Sequence, residues 1–591
     1  MNKINDHDLF FEAIDKIYSS KNNLLFLSKS VLSKIEDNFL KKNNERIIFV
    51  KDIWYENEKL KNDYKYICDQ CEFILKELRT FLNNHHNKNY SERFWKILIG
   101  PWIFTFISVI FERWHSIKNI IESYNLQNVY LRKINHHYIP LDIDEFKRIY
   151  TLQGWNHFIY DEIFSDLRDE KYFKIVYYNN DNEIKEHLNR YRKSNFKNFI
   201  LKKILQNPIS DFVKSKEYLF FSTAFDKERK KLIKQNLKNS VFSIPIPMFI
   251  NKNFSQNDNL RNKIDLKLFK NDKFSKFLNK QIKNNLPMVF LELFTQHLKH
   301  INSFNYPKKP KGIFTASGLI FNSNMSRYVA ETVENKSKLN HLQHGGCYEQ
   351  YELHWPTQHE ISISDKYFSW GWKKENNKKI IPIGINKNLN LTDYNINNKN
   401  IYFETRVRSN YTGRLDSAST KSRIDKYIDR CCNFLKIIKD KKIDENFFVR
   451  LHARSMGYDE EGIFKKFHPK LKFCSRYESV FELKKKSKIF IHTSLSTGHL
   501  ESFAINFPCL IFADSVKEEM FKEKHSIYFN DFKNVKILFD KAEDLIEHLE
   551  KIDKNIYDWW KQKEIQSLIN EYSSKYGYLN KNYERDLIKN A

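Results

Sequence analysis

The stretch KIFIHTSLSTGHLESFAINFPCLIFAD, Lys488 to Asp514, decides how this chain is read. Ile489-Phe490-Ile491 is a short apolar run of strand type, and four hydroxyls follow at Thr493, Ser494, Ser496 and Thr497. Gly498 permits close backbone approach, and His499 to Asn506 has the pattern of a helix carrying Glu501 near its start. Pro508 ends that helix, and Cys509 to Phe512 reads as the next buried strand. Strand, hydroxyl-rich turn, helix and strand form the unit of a doubly wound α/β sheet, whose ligands sit outside the carboxyl ends of its strands. A helix N-terminus there offers N–H groups and a positive dipole end to a phosphate, and Glu501 could accept from sugar hydroxyls. The same residues also suit a purely structural role, with Ser496 or Thr497 as helix cap and Glu501 complementing the dipole. The stretch alone leaves both readings open.

Working outward, the pattern repeats. Strands are expected at Tyr367 to Trp370, Ile380 to Gly384, Asn400 to Phe403, Phe447 to His452 and Leu471 to Phe473, with helices at Ser422 to Lys439, Ser479 to Lys485 and Ala542 to Lys551. This alternation predicts a mainly parallel sheet covered on both faces. Before it, strands are expected at Leu24 to Leu27, Ile47 to Val50, Asn128 to Arg132, Tyr172 to Tyr178, Val241 to Ile246, Gly312 to Phe314 and Leu339 to Gln343. The chain therefore divides into an N-terminal α/β domain with helical insertions (1–360), a C-terminal Rossmann-like domain (361–554) and a closing helix (555–591) that packs back on the first.

Composition narrows the function. At 591 residues, 41% apolar and 15% aromatic, the chain has material for several real cores, and its 13 glycines and 12 prolines leave no flexible linker. The net charge of +27 favours anionic partners such as nucleotides, acidic sugars or an anionic membrane surface. The lysines are scattered and lack the basic stripe and aromatic readout of a nucleic-acid binder, so nucleic acid is not expected as a partner. Cys68 and Cys71 form a lone pair within a helical pattern, so no metal is expected there. The N-terminus MNKINDHDLF has no signal-peptide pattern, which predicts a cytoplasmic protein. WKILIGPWIFTFISVIFERW, Trp95 to Trp114, has an uncharged run only from Ile97 to Phe111, which predicts a buried helix beginning near Pro101 in place of a membrane span. TLQGWNHFIYDEIF, Thr151 to Phe164, fits either an acceptor-site loop or a core helix.

Three more constellations lie at expected strand ends. HLQHGGCYEQYE places His344, a candidate base, beside Gly345 and Gly346. In FFVRLHAR, alternation sends Arg450, His452 and Arg454 to one side of a strand end, an anion clamp or an ion-paired edge. YFETRVRSN supplies Arg406 and Arg408. There is no P-loop, no G-x-G-x-x-G after a strand and no G-x-S-x-G elbow, which disfavours ATPase, dehydrogenase and α/β-hydrolase readings.

QHGG (343–346), SDKYFSWGW (364–372) and HTSLSTGHLESFAINFPCLIF (492–512), with the N-terminal segments above, resemble a family of transferases from surface-carbohydrate loci. More distantly the C-terminal half is similar to capsule Kdo transferases and CDP-glycerol glycerophosphotransferases. The resemblance implies a GT-B fold, two facing Rossmann-like domains with the active site in the cleft. It also implies that His344 and His452 are the catalytic histidines and that Ser494, Ser496 and Thr497 form the donor hydroxyl cluster. Ala453 stands where that pattern has proline. The resulting expectation is a metal-independent glycosyltransferase needing no cofactor beyond its nucleotide-sugar donor. Its acceptor would be a surface glycan or glycolipid, reached in the cytoplasm or at the inner face of the membrane. Donor contacts would come from Gly345, Gly346, Arg406, Arg450, Arg454, Ser494, Ser496, Thr497 and Glu501. The rivals are a CDP-glycerol-type polyol-phosphate transferase, a nucleotide-sugar 2-epimerase and, outside enzymes, a nucleic-acid-binding protein.

Overall fold

A computed structural model describes residues 6–591 except 136, 169–170, 181, 194–212, 244, 248, 250–255, 268, 388, 390–396, 407–408, 414, 418–419, 454–457 and 516. The described residues form three wholly parallel sheets. The first contains β1 (His7–Phe10), β2 (Asn23–Phe26), β3 (Ile47–Phe49), β4 (Leu126–Lys133) and β5 (Lys174–Asn180), in the order β3-β2-β1-β4-β5. The second contains β6 (Tyr218–Phe221), β7 (Ser240–Phe242), β8 (Gly312–Thr315), β9 (Lys338–Leu342), β10 (Lys366–Ser369) and β11 (Ile380–Pro382), ordered β11-β10-β9-β8-β6-β7. The third contains β12 (Asn400–Glu404), β13 (Phe447–Arg450), β14 (Ser487–His492), β15 (Cys509–Phe512) and β16 (Leu538–Phe539), ordered β13-β12-β14-β15-β16.

The fold class is therefore mixed α/β, built of Rossmann-like units with parallel sheets, but the sequence division needs two corrections. The N-terminal portion holds two sheets, not one. In addition, β10 and β11 do not open the C-terminal unit. Tyr367 pairs with His341 of β9 and with Ile380 of β11, so the second sheet extends to Pro382. The apolar runs were visible in the sequence, but sheet membership is set by long-range register, which they do not encode. Leu471 to Phe473 makes only an isolated bridge, Val449 to Phe473, at the sheet margin.

The Glu92–Ser123 helix is the axis of the N-terminal core. Ser91 caps it, its hydroxyl accepting from Phe94 N–H at 3.2 Å, so the helix starts about two and a half turns before the expected Pro101, which lies inside it. It is long and apolar enough to cross a membrane, yet 94% of its most apolar window is buried inside the protein. GWNHF belongs to a core helix, Gln153–Asp166, with Trp155, Asn156 and His157 buried. Arg113, fully buried, is ion-paired with Glu112 and donates to Asn156 Oδ1 at 3.0 Å and to Thr412 O at 2.9 Å. The last contact draws residues 411–413 of the third unit into the first. At the other end, the Lys563–Tyr576 helix packs on the Thr497–Ala504 helix, while Tyr583 and Leu587 join Phe220, Phe225 and Phe314 in the core of the second sheet.

Candidate functional site

The carboxyl ends of β9 and β14 meet. After β9 the chain turns through His344, Gly345 and Gly346; after β14 it runs through Thr493 to Ser496 into the Thr497–Ala504 helix. Gly346 N–H donates to Thr497 Oγ1 at 2.9 Å, and the Tyr351 hydroxyl donates to Leu495 O at 2.6 Å. A Cβ on Gly346 would lie 2.6 Å from Leu500 Cδ1, 3.0 Å from Thr497 Cα and 3.1 Å from Ser496 O, so glycine is required by close packing of one unit on the other. The HGG turn and the hydroxyl loop thus form one seam.

Within it, Ser496 caps the helix. Its side chain accepts from the His499 backbone while His499 Nδ1 accepts from Ser496 N–H at 3.2 Å, a reciprocal capping box. Thr497 Oγ1 is engaged by Gly346, and Ser494 Oγ lies 3.1 Å from Ser496 Oγ. Of the hydroxyl cluster, Ser496 and Thr497 therefore hold the architecture. His344 is half-buried, with the Tyr348 hydroxyl 2.8 and 2.6 Å from its two ring nitrogens. Its Nδ1 lies 3.8 Å from Oε1 of Glu360, a fully buried carboxylate on the next helix, Trp355–Ile363.

The third sheet changes direction between β12 and β14, the topological switch point where α/β sheets bind ligands. Glu404 and His492 end those strands. Glu404 Oε2 lies 2.8 Å from His492 Nδ1, and His492 Nε2 lies 2.8 Å from Ser502 Oγ. Burial works against an ionised Glu404, but the His492 hydrogen bond and the charges of His492, Arg450 and Lys484 outweigh it and lower its pKa. Burial likewise lowers the pKa of His492 despite Glu404. Gly498 is packed against this pair; a Cβ there would meet His492 Nδ1 at 2.5 Å.

Arg450 is not the free clamp the alternation suggested. β12 separates β13 from β14, so Arg450 reaches Glu404 Oε1 at 3.2 Å and Glu478 O at 3.3 Å, away from Ser494 and Thr497. Glu501 is ion-paired with Lys387, which takes the carboxylate expected to serve sugar hydroxyls. His452 is half-buried just past β13, and Arg454 and Arg408 lie outside the described residues. Arg406 stays at the strand ends, with Nη1 3.4 Å from Glu519 Oε2 and its guanidinium 5.5 Å from the Tyr427 ring.

The residue missed was Arg430. It projects from the Lys421–Ile438 helix toward the ends of β14 and β15, ion-paired with Asp514 and 5.3 Å from the Phe512 ring. Its neighbour Tyr427 is 3.1 Å from Thr493 Oγ1. The signal was present in the sequence: Arg423, Tyr427 and Arg430, spaced four and three, share one helix face. Among the described residues, several buried polar atoms near these strand ends have no hydrogen-bond partner: Thr405 Oγ1, Arg450 Nε, and Arg430 Nε and Nη2. Buried polar atoms are ordinarily satisfied by protein, water or ligand, so these atoms have hydrogen bonds to give, as do others elsewhere such as Arg113 Nη2 and Arg327 Nη1.

Parallel sheets whose carboxyl edges meet in a polar seam define an α/β protein built of Rossmann-like units. The chain matches the LIC12162 family of transferases over residues 8–590 and belongs to that family. Among solved structures, it is similar to the UDP-GlcNAc 2-epimerase of Neisseria meningitidis bound to UDP-GlcNAc, at 12% identity over 63% of this chain and 98% of that one, with a TM-score of 0.34. S. aureus MnaA, solved with UDP, gives 10% identity over 63% and 94%, with a TM-score of 0.35. MurG of Acinetobacter baumannii gives 8% over 64% and 100%, with a TM-score of 0.30. Among curated proteins, none matches this chain in sequence.

Proposed function

We propose that this transferase is a cytoplasmic glycosyltransferase that moves a sugar from a nucleotide-activated donor to a surface polysaccharide or glycolipid acceptor. The observation that carries the reading is the group of buried, unspent donors at the third sheet's carboxyl edge: Arg430 Nε and Nη2 and Arg450 Nε, with Thr405 Oγ1. A donor diphosphate would accept from Arg430 and from the first-turn N–H groups of Thr497 and Gly498, which helix geometry leaves without intrahelical partners. These fixed donors would stabilise charge on the leaving nucleotide without a metal. The sugar would then lie in the seam toward His344, which takes the proton from the acceptor hydroxyl as that oxygen attacks the anomeric carbon. The net charge of +27 supports peripheral contact with an anionic membrane, where a lipid-linked acceptor would reside.

A thermal-shift screen against CMP-, CDP-, UDP-, GDP- and dTDP-linked sugars tests this. A ligand at about 100 times its Kd stabilises by about 2.7 kcal/mol. Product analysis with the donor that binds then separates glycosyl transfer from polyol-phosphate transfer or 2-epimerisation. If no nucleotide stabilises the wild-type protein, the reading fails.

A further inference from the structure

We propose that Glu360 is a positioning residue that orients His344 and holds its positive charge when the acceptor proton arrives. The proposal rests on the glycosyl-transfer reading for its chemistry, but its central test does not.

Glu360 sits on the Trp355–Ile363 helix, which the HGG turn leads into, and its side chain is fully buried. The carboxylate is 3.8 Å from His344 Nδ1, within ion-pair distance. The Tyr348 hydroxyl meets the same ring, 2.8 Å from Nδ1 and 2.6 Å from Nε2, its own ring perpendicular at 90° and 5.2 Å away. Tyr348 is braced in turn by His354, with ring centroids 4.5 Å apart. Other titratable groups near the pair do not supply the negative charge. His341, one strand pitch below His344, is pulled down to about 3 by burial and stays neutral. His359, beside Glu360, is likewise held neutral by burial, with Lys96, His341 and Lys147 adding positive charge nearby. Tyr367, against Glu360, is pushed well above its ordinary range by burial and stays protonated. Glu360 is therefore the carboxyl group that faces His344 from this helix, and desolvation strengthens the attraction between its ionised form and an imidazolium.

In the reaction the acceptor O–H bond breaks and an N–H bond forms on His344. The acceptor oxygen bonds to the anomeric carbon, and the nucleotide diphosphate departs with the electrons of the broken C–O bond. The charge left on His344 is paired with Glu360, and no group external to donor and acceptor is consumed. A base held by a third group is the general logic of such sites.

The test uses full-length protein and Glu360→Gln, which keeps volume and shape. The imidazole of His344 is titrated by NMR in ¹³C-histidine-labelled protein, with His344→Asn to assign the signal. A carboxylate beside it raises its pKa, so Glu360→Gln should lower that pKa by about one unit, and Glu360→Asp should restore part of the shift. An unchanged His344 pKa in a folded Glu360→Gln variant overturns the proposal. With an active donor and acceptor, Glu360→Gln should lower kcat about tenfold or more with donor KM nearly unchanged, and move the acid limb of the pH profile downward. The double variant with His344→Asn should be no slower than His344→Asn alone; independent, additive losses would also overturn the proposal. If the NMR shift is found but no sugar is transferred, the glycosyl-transfer reading fails and the pairing stands.

Discussion

The first and third sheets are built alike and end differently. Each is a five-stranded parallel sheet with one switch point, and each places a glutamate there. In the first sheet Glu12 follows β1. It is gripped by Arg132 through both oxygens at 2.5 and 2.6 Å, and it accepts from the Tyr178 hydroxyl at 2.7 Å. Arg132 also meets Glu183 at 3.2 Å, and His157 Nε2 lies 3.5 Å from Glu12. Tyr411, arriving from the third unit, hydrogen-bonds Gln153 and stacks its ring 5.2 Å from Arg113. That crevice is crossed by Tyr411 and its glutamate is paired, although Arg113 Nη2 and His157 Nε2 have no hydrogen-bond partner among the described residues. In the third sheet Glu404 is also paired, yet Arg430 and Thr405 beside it retain hydrogen-bonding capacity. A polar switch point is thus not itself a ligand site; what distinguishes the two is that the first glutamate is gripped by an arginine and its crevice is crossed by Tyr411, whereas the third glutamate is held by a histidine beside Arg430.

The sharpest way to break this comparison is Arg132→Ala. If the first edge is structural, the variant leaves the half-buried Glu12 without its cation, held only by Tyr178 and His157, and should lose about 3 kcal/mol of stability in denaturant titration. A loss of under about 1 kcal/mol would mean the first edge is not the closed strut described here. At the third edge the expectation reverses. Arg430→Gln should weaken donor-nucleotide binding about tenfold or more, since charged hydrogen bonds contribute about 1.5–3 kcal/mol, and, although it leaves the part-exposed Asp514 unpaired, should lower the melting temperature less than Arg132→Ala does. Calorimetric titration with the nucleotide found by screening measures the first and a thermal scan the second. Should Arg430→Gln unfold the protein while nucleotide affinity persists, both edges are structural and the donor lies elsewhere.

Gly346→Ala probes the seam between them. Its methyl group would press on Leu500 and on the backbone at Thr497 and Ser496, so overpacking of about 1–3 kcal/mol is expected, with the units pushed apart. Gly345 is roomier, with its nearest would-be contact at 3.2 Å, and Gly345→Ala should cost less; equal melting temperatures would show that the seam yields freely. The smallest effect is in pH. Burial pulls His157 down to about 3, against an ordinary value near 6.5. A folded value below the unfolded one gives stability that is complete above pH 6.5 and is lost as pH falls below it. Between pH 7.5 and 5.5 this one group should remove about 1 kcal/mol, and His157→Gln should flatten that part of the acid limb in pH-dependent unfolding.

How much of this was legible follows from range. The hydroxyl loop and its flanking strands are a local pattern, and Lys488 to Asp514 folds as its periodicity implies. The placement of Arg450 was not legible, because which strand lies beside β13 is decided by pairing between distant segments. Arg430 was legible in principle, as one face of a helix carrying Arg423 and Tyr427, but a basic residue among so many carries little signal. Glu360 was not, since it follows His359 in an apolar helix and meets His344 only through the turn at Gly345 and Gly346. Ser496 had two readings in the sequence, and the capping box shows that the structural one holds for its side chain.

The closing segment has a consequence in time. The second sheet has all its strands once Pro382 has been made, but its core lacks Tyr583 and Leu587 until the chain has been extended to the last helix. At about 5–20 residues per second, synthesis takes roughly 10–40 s to cover that interval. Throughout it, Phe220, Phe225 and Phe314 lack two of the side chains that cover them, whereas every strand of the first sheet has been present since Asn180. The nascent chain thus has all the strands of its front sheet early, although Tyr411 and Leu415 reach that core later, while its middle stays open longest, and the second sheet is the region a chaperone would have to shield.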